Sequence, residues 1–343
     1  MVGMGAIGLG GLGHLMLDAY AEMDDVDLVA GTDVSPKARE AFETGYDAPA
    51  YDDYEAMLDD HGDALDAVTI VTPHTLHYEQ AMDCLRADLD VLLEKPMVTG
   101  VDDAVDLVEA VDERDRVLQV GYQRHFHPGF RELRRIVTSG RIGGVHTVDC
   151  YLGQDWIDVQ RGTWRTNPDL SGGGQLYDTG SHLLDAMLWT TATTPTSVVA
   201  EMEYAKPGVD CNSALGVALD AGDRTATASV GLTGDGVDMT PSEGYVVWGT
   251  DGQVSYSDDR LVVAEGGQTT AVTTVTADTD FGTLTKAKLV NFVEAVRGEA
   301  ESAVPAEYGL QVTALTEAAY EADETGRRVD VTAMLDAARE AVE

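Results

Sequence analysis

Basic residues are scarce in this chain: 22 Lys and Arg stand against 61 Asp and Glu, a formal net charge of -39. The acids run along the whole sequence and do not gather in a tail, so a strongly acidic surface follows. Such a field repels a nucleic-acid backbone and an anionic membrane, and neither is expected as a partner. Solvation in a salty cytoplasm accounts for the excess, since abundant cations screen the self-repulsion; a basic protein partner is the alternative. Cysteine is sparse too. Cys84, Cys150 and Cys211 are odd in number and far apart, which excludes a disulfide framework or a CxxC metal knuckle and leaves buried free thiols. No segment reaches the roughly 18 consecutive apolar residues of a membrane span. Residues 1–17 carry no acid, Lys or Arg, but they have no basic n-region and their six glycines would spoil an apolar helix. A soluble intracellular protein is expected.

What is present has a clear rhythm. With 343 residues, 44% of them apolar, the chain exceeds one core and can fill two. Over residues 2–121 short β-rich runs alternate with helical patterns, as in a doubly wound parallel sheet. Strands are expected at 2–7, 27–32, 67–71, 91–93 and 117–120, with helices at 36–44 behind Ser35, at 76–87 and at 101–113. Beyond Tyr122 the pattern changes to a helix at 128–138, a strand at 146–152 and a helix at 175–189. The stretch 197–276 is rich in Val, Thr, Ala and Tyr and is broken at Ala221-Gly222-Asp223, Gly234-Asp235-Gly236 and Asp251-Gly252, which reads as antiparallel strands of one open sheet. Helices at 284–297, 306–325 and 331–342 close the chain. The fold class is therefore α/β: a dinucleotide-binding domain over 1–122, then an α+β domain over 123–343 with a large, mainly antiparallel sheet.

Two GxGxxG matches overlap, Gly3-Gly5-Gly8 and Gly8-Gly10-Gly13. The motif needs a strand that delivers the chain to a tight turn opening a helix, and only two residues precede Gly3, so the second register is chosen. In that register Gly8, Gly10, Gly11, Leu12 and Gly13 form the phosphate loop, with the helix from about Gly11 aiming its positive end at a pyrophosphate. Asp33 ends the next strand twenty residues after Gly13, where its carboxylate can bind ribose hydroxyls. A carboxylate there favours NAD over NADP, and the nearby Lys37 and Arg39 keep NADP possible.

Lys95, in Glu94-Lys95-Pro96, follows the apolar run Val91-Leu92-Leu93 and so stands at the carboxyl edge of the parallel sheet, where doubly wound folds bind ligands. An ammonium there can hold a hydroxyl and steady alkoxide character. Farther on, the glycine turn Gly172-Gly173-Gly174 runs into a helical pattern in which Asp178 and His182 are four apart and share one face. Histidine suits proton abstraction from an alcohol near neutral pH, and a carboxylate one turn away can orient it.

These segments, together with Thr72-Pro73-His74-Thr75-Leu76-His77 and Gly121-Tyr122-Gln123-Arg124, resemble the Gfo/Idh/MocA family, the glucose-fructose oxidoreductase and inositol dehydrogenase group, over essentially the whole chain. The resemblance implies an N-terminal Rossmann domain and a C-terminal domain whose open sheet commonly mediates homodimers or homotetramers. It implies Lys95, Asp178 and His182 as the catalytic group, with His182 as acid/base. Thr72, Pro73 and His77 should line the nicotinamide side, with Glu94 and Lys95 beside it and Gln123 and Arg124 near cofactor or substrate. His74 stands where many members have Asn, and His125 where many have Arg or Asn, changes that bear on substrate identity. Trp156, Trp164 and Arg165 could wall a sugar site, or serve a core or an interface. His125 and His127 form an HxH for which no third ligand is evident, so no metal is expected. The activity implied is NAD(P)-dependent hydride transfer at a hydroxyl-bearing carbon of a sugar-like or cyclitol-like molecule. An NAD-dependent glycoside hydrolase and a non-catalytic dinucleotide sensor are the alternatives.

Overall fold

The computed structural model describes residues 1–206, 208–236 and 238–342, which fall into two compact units. The first comprises Met1–Val98, Asp103–Gln123 and Asp280–Gly309. Its sheet has six strands in the spatial order Ala50–Tyr51, Val26–Thr32, Val2–Ile7, Ala67–Ile70, Asp90–Leu93, Leu118–Val120, every neighbouring pair parallel. Strand order reverses between Val2–Ile7 and Ala67–Ile70, the place where such sheets open a ligand crevice. Val2–Ile7 is buried at all six positions, as expected for a strand covered on both faces.

Part of that cover comes from far along the chain. Leu289, Phe292 and Val293 of helix Phe281–Val296 pack with Val2, Met4, Met16, Tyr20, Ala67 and Leu92 in one cluster. The division expected at residues 122 and 123 thus differs in two main respects: Asp280–Gly309 returns to the first unit, because that helix has an apolar face the sheet needs, and the short stretch Thr99–Asp102 groups with the second. The two-residue strand Ala50–Tyr51 and the helix Tyr54–His61, capped by Asp53, were not anticipated. A strand that short shows no period.

The second unit holds Thr99–Asp102, Arg124–Thr279 and Leu310–Glu343. Its nine-stranded sheet runs Gln268–Thr274, Arg260–Glu265, Gly252–Ser257, Glu243–Gly249, Val145–Gly153, Thr225–Thr233, Val209–Asp220, Thr194–Ala205, Val329–Asp330. All neighbours are antiparallel except Val145–Gly153 with Thr225–Thr233. Because Val145–Gly153 is inserted between Thr225–Thr233 and Glu243–Gly249, the Gly234-Asp235-Gly236 turn does not close a hairpin, contrary to its reading as a break between adjacent strands. The tight hairpin between Gly252–Ser257 and Arg260–Glu265 turns on Asp258 and Asp259, both at positive φ of 47° and 57°. Among the described residues six non-glycines take this left-handed conformation and five are Asp, so part of the acidic excess does the backbone work usually given to Asn or Gly.

Burial sorts the acids sharply. Among the described residues only Asp90, Glu94, Asp178, Asp185 and Asp210 are buried, and each has a donor or cation against it. The other described acids are half-buried or exposed. Cys84, Cys150 and Cys211 are free and buried, and burial pushes all three thiols up, out of the nucleophilic range. No helix among the described residues is long and apolar enough to cross a membrane.

Candidate active site

In the first unit the glycine loop takes the second register. Val2–Ile7 delivers the chain to Gly8, at φ 96°, and helix Gly11–Ala21 starts behind Gly10. A Cβ on Gly8 would lie 2.2 Å from the Val71 carbonyl oxygen, and one on Gly13 would lie 2.0 Å from the Gly8 oxygen. The loop therefore presses on its own helix and on the next strand. Around Gly10 and Gly11, by contrast, a Cβ would meet nothing within 4 Å. Gly10 brings no side-chain cap, so the first amides of the helix face open space with their positive end exposed, a cradle that fits a dinucleotide pyrophosphate.

Asp33 stands at the end of Val26–Thr32 and is tied to the loop: Oδ2 accepts from the Leu9 amide at 2.9 Å and Oδ1 from the Ser35 amide at 2.8 Å. A carboxylate has further lone pairs on each oxygen, so hydroxyls can still be accepted. Arg39 Nη1 donates to the Asp33 carbonyl at 2.7 Å, which sets a guanidinium at the same strand end.

Thr72, Pro73 and His77 follow Ala67–Ile70. Thr72 Oγ1 donates to Gln80 Oε1 at 2.6 Å. The His77 ring lies 3.0 Å from the Thr72 carbonyl oxygen at Nε2 and 2.8 Å from that of Pro96 at Nδ1, joining the two loops that end the central strands. His77 is fully buried, and burial holds its pKa below the usual histidine range. It braces the two loops. The Glu94 carboxylate turns inward to an ion pair with Lys288. From Leu89 to Val98, Lys95 alone is not buried. Gln123 sits half-buried on the short turn Gln123–Phe126.

In the second unit the turn at 172–174 is packed so closely that side chains would not fit. Gly172 is at φ 73°, and a Cβ on Gly174 would lie 2.1 Å from the Asp210 carbonyl oxygen. Asp210, at the start of Val209–Asp220, accepts from the Gly174 amide at 2.6 Å and the Leu176 amide at 2.8 Å, and from the Tyr320 hydroxyl. It thereby caps the segment that carries the candidate catalytic residues. Burial pushes the Asp210 carboxyl up, and those donors pull against it.

The expected α-helix over 175–189 opens instead as a π turn, Leu176–Gly180, before helix Ser181–Thr191. Such turns widen a helix where side chains must be re-aimed. Asp178 lies on it, with Oδ2 accepting from Trp156 Nε1 at 2.9 Å and ion-paired with Arg165 Nε at 3.2 Å. Arg165 in turn lies 4.4 Å over the Trp164 ring. The structure thus brings Trp156, Trp164, Arg165 and Asp178 together. Trp156 is core, packing with Ile157 and Val209. On helix Ser181–Thr191 every residue is buried except His182.

Arg124 forms an ion pair with Glu243 and lies 5.6 Å over Phe130. His125 pairs with Asp185 at 2.8 Å and stacks on Trp189 at 4.1 Å, while His127 Nδ1 accepts from the Gly129 amide at 3.0 Å. The two histidines of the HxH thus serve different partners, and among the described residues no three His, Cys, Asp or Glu side chains are grouped to hold a metal ion. Asp210, Tyr320, Glu243, Asp185 and Lys288 escaped the sequence reading, because no local motif marks a residue whose partner lies on a distant segment.

Comparison with known proteins agrees with this picture. The oxidoreductase family model with an NAD-binding Rossmann fold, GFO_IDH_MocA, matches residues 2–122, and the GFO/IDH/MocA C-terminal domain matches residues 130–255. The chain is 25% identical over 324 residues to the rhizopine catabolism protein MocA of Rhizobium meliloti, covering 93% of this chain and 94% of that protein. It is 24% identical over 312 residues to the NADP-dependent scyllo-inositol 2-dehydrogenase of Bacillus subtilis, covering 82% and 83%. The crystal structure of aldose-aldose oxidoreductase from Caulobacter crescentus complexed with glycerol superposes with a TM-score of 0.81 at 25% identity, covering 96% of this chain and 99% of that one. The glycine register, the Glu94-Lys95-Pro96 strand end and the Gly172 to Asp185 block therefore stand in a chain that belongs to the Gfo/Idh/MocA family of NAD-binding oxidoreductases.

Proposed function

We propose that this chain is an NAD(P)-dependent dehydrogenase that oxidises a CH–OH group of a sugar, a cyclitol or a derivative of either, or carries out the reverse reduction. One observation carries the reading. Lys95 and His182, both half-buried, are each the single position that is not fully buried in its segment, and they are the two residues whose chemistry an alcohol oxidation needs. His182 offers an imidazole nitrogen that can take a hydroxyl proton, and Lys95 an ammonium that can steady negative charge developing on an alcohol oxygen. Asp178, fixed by Trp156 and Arg165, stays an oriented carboxylate that can accept from a neighbouring hydroxyl. The dinucleotide, held by residues 8–13 and Asp33, supplies the hydride acceptor. Asp33 favours NAD, and Arg39 beside it leaves room for NADP.

The relatives support the substrate class, one acting on an inositol and another named for aldoses. The outward-facing acids support a working environment of concentrated salt in a cytoplasm, and the open nine-stranded sheet supports a homodimer or homotetramer. Screening polyols, aldoses, cyclitols and nucleotide sugars for NAD(P)H formation in concentrated KCl tests the function. In the same assay Lys95→Ala and His182→Ala should each lower kcat by about 10²-fold or more with cofactor binding kept. Full turnover in both variants would remove the mechanism.

A further inference from the structure

Glu94 and Lys95 are adjacent in the chain and differ in fate: Glu94 is 5% exposed, whereas Lys95 is half-buried. The Glu94 carboxylate is gripped from two sides. Oε1 accepts from Lys288 Nζ, a side chain itself 1% exposed on helix Phe281–Val296. Oε2 accepts from the backbone amide of Lys95 at 3.4 Å. Gly121 stands behind the carboxylate, where a Cβ would lie 2.7 Å from both Cδ and Oε2, and the Gly121 amide is held by the Leu93 carbonyl at 2.8 Å. Lys288 is fixed in turn, since Gln119 Nε2 donates to its carbonyl at 3.1 Å and Gln119 Oε1 accepts from Ser302 Oγ at 3.1 Å.

Stability is a poor reason for such a pair. Removing two charges from water costs about as much as their attraction returns, and well-packed apolar side chains of the same size serve a core as well or better. Geometry is a better reason, because a carboxylate pinned at one oxygen presents the other at a fixed point. We propose that Lys288 is a positioning residue for Lys95: it anchors the Glu94 carboxylate, whose second oxygen holds the Lys95 backbone amide and so sets where the ammonium-bearing stem leaves the strand. The inference rests on the role given to Lys95 above and extends it to a residue 194 positions from Glu94 in sequence.

Three variants of the full chain test it: Lys288→Met, Lys288→Arg, and the double variant Glu94→Gln with Lys288→Met, which leaves no lone charge buried. Steady-state kinetics are read beside hydrogen exchange at the Lys95 amide, a signal kept distinct because Pro96 has no amide. In Lys288→Met, kcat should fall about tenfold or more with KM and cofactor Kd held within about threefold, because a misplaced catalytic group slows chemistry without weakening binding. The Lys95 amide should exchange about tenfold faster, and Lys288→Arg should recover part of both effects. The double variant should melt near the unaltered protein and remain slow. A double variant that is folded, fully active and protected at Lys95 would overturn the proposal, as would a Lys288→Met effect confined to KM. If the unaltered protein oxidises no CH–OH substrate, the function reading fails by itself and the exchange arm still decides: faster exchange supports the positioning role, and unchanged exchange sinks it.

Discussion

The two units hold their functional residues by different means. In the first, the glycine loop is set by backbone pressing on backbone, Gly8 against Val71 and Gly13 against Gly8, while the loops beside it are tied by side chains, His77 to the carbonyls of Thr72 and Pro96 and Lys288 to Glu94. In the second, side chains reach across the sequence: Trp156 and Arg165 to Asp178, Tyr320 to Asp210, His125 to Asp185. A cradle for a constant ligand, the dinucleotide, is made of groups that every sequence possesses and needs only glycine where they crowd. A site for a variable substrate is made of side chains, which can be exchanged.

Breaking that contrast should have its largest effect at Gly8. Gly8→Ala adds a Cβ 2.2 Å from the Val71 oxygen at a φ of 96°, and dinucleotide affinity should fall about 100-fold or more in a fluorescence titration, with a lowered melting temperature. Gly11→Ala sharpens the point, because open space surrounds it: helix stability should rise by about 0.5–1 kcal/mol while affinity falls, since the methyl enters the cradle. Next comes the second unit. Asp210→Ala orphans the Leu176 amide, leaves the Gly174 amide only the Tyr320 oxygen at 3.2 Å and strips the Tyr320 hydroxyl of its acceptor, and should cost about 1–3 kcal/mol in a denaturant melt while leaving dinucleotide binding intact.

A pH series separates the units further. The folded pKa of His77 is below its ordinary 6.5, so the unfolded chain takes up the proton first. Stability from this group is complete above 6.5 and is lost as pH falls through the lower folded value. In His77→Gln, melting temperature should vary less steeply across that window, and an unchanged slope would contradict the brace assigned to this ring. The smallest effect belongs to the acids. Asp47 closes helix Pro36–Tyr46 at φ 54°, a negative charge at the negative end of a helix. Asp47→Asn keeps the left-handed turn and should gain about 0.3–1 kcal/mol in dilute buffer and less in molar KCl, where the charge is already screened.

How far the sequence could be read follows another divide, between local pattern and distant partner, and it cuts through both units. The register of the glycine loop was legible because a strand needs length before a turn, and Val2–Ile7 lies where that argument puts it. The helices His77–Arg86 and Val101–Arg114 were legible from apolar spacing. Lys288 was not, for its partner is 194 residues away, nor was the Asp210 cap, whose Tyr320 partner is 110 residues away. The motifs named Glu94 and His77 without saying which way each side chain turns, so their buried partners were not legible. The π turn at Leu176–Gly180 left no trace in spacing either, since residues four apart stay near one face in both helix types.

The return of Asp280–Gly309 to the first unit has a practical consequence for anyone who would borrow the dinucleotide module. A fragment cut after residue 122 would bare Met4, Met16, Tyr20 and Leu92, an oily patch that Leu289, Phe292 and Val293 normally cover, and would invite clumping in the tube. A transplantable cassette has to splice the late helix back onto the early strands, so the gene's linear order is a poor guide to where scissors belong.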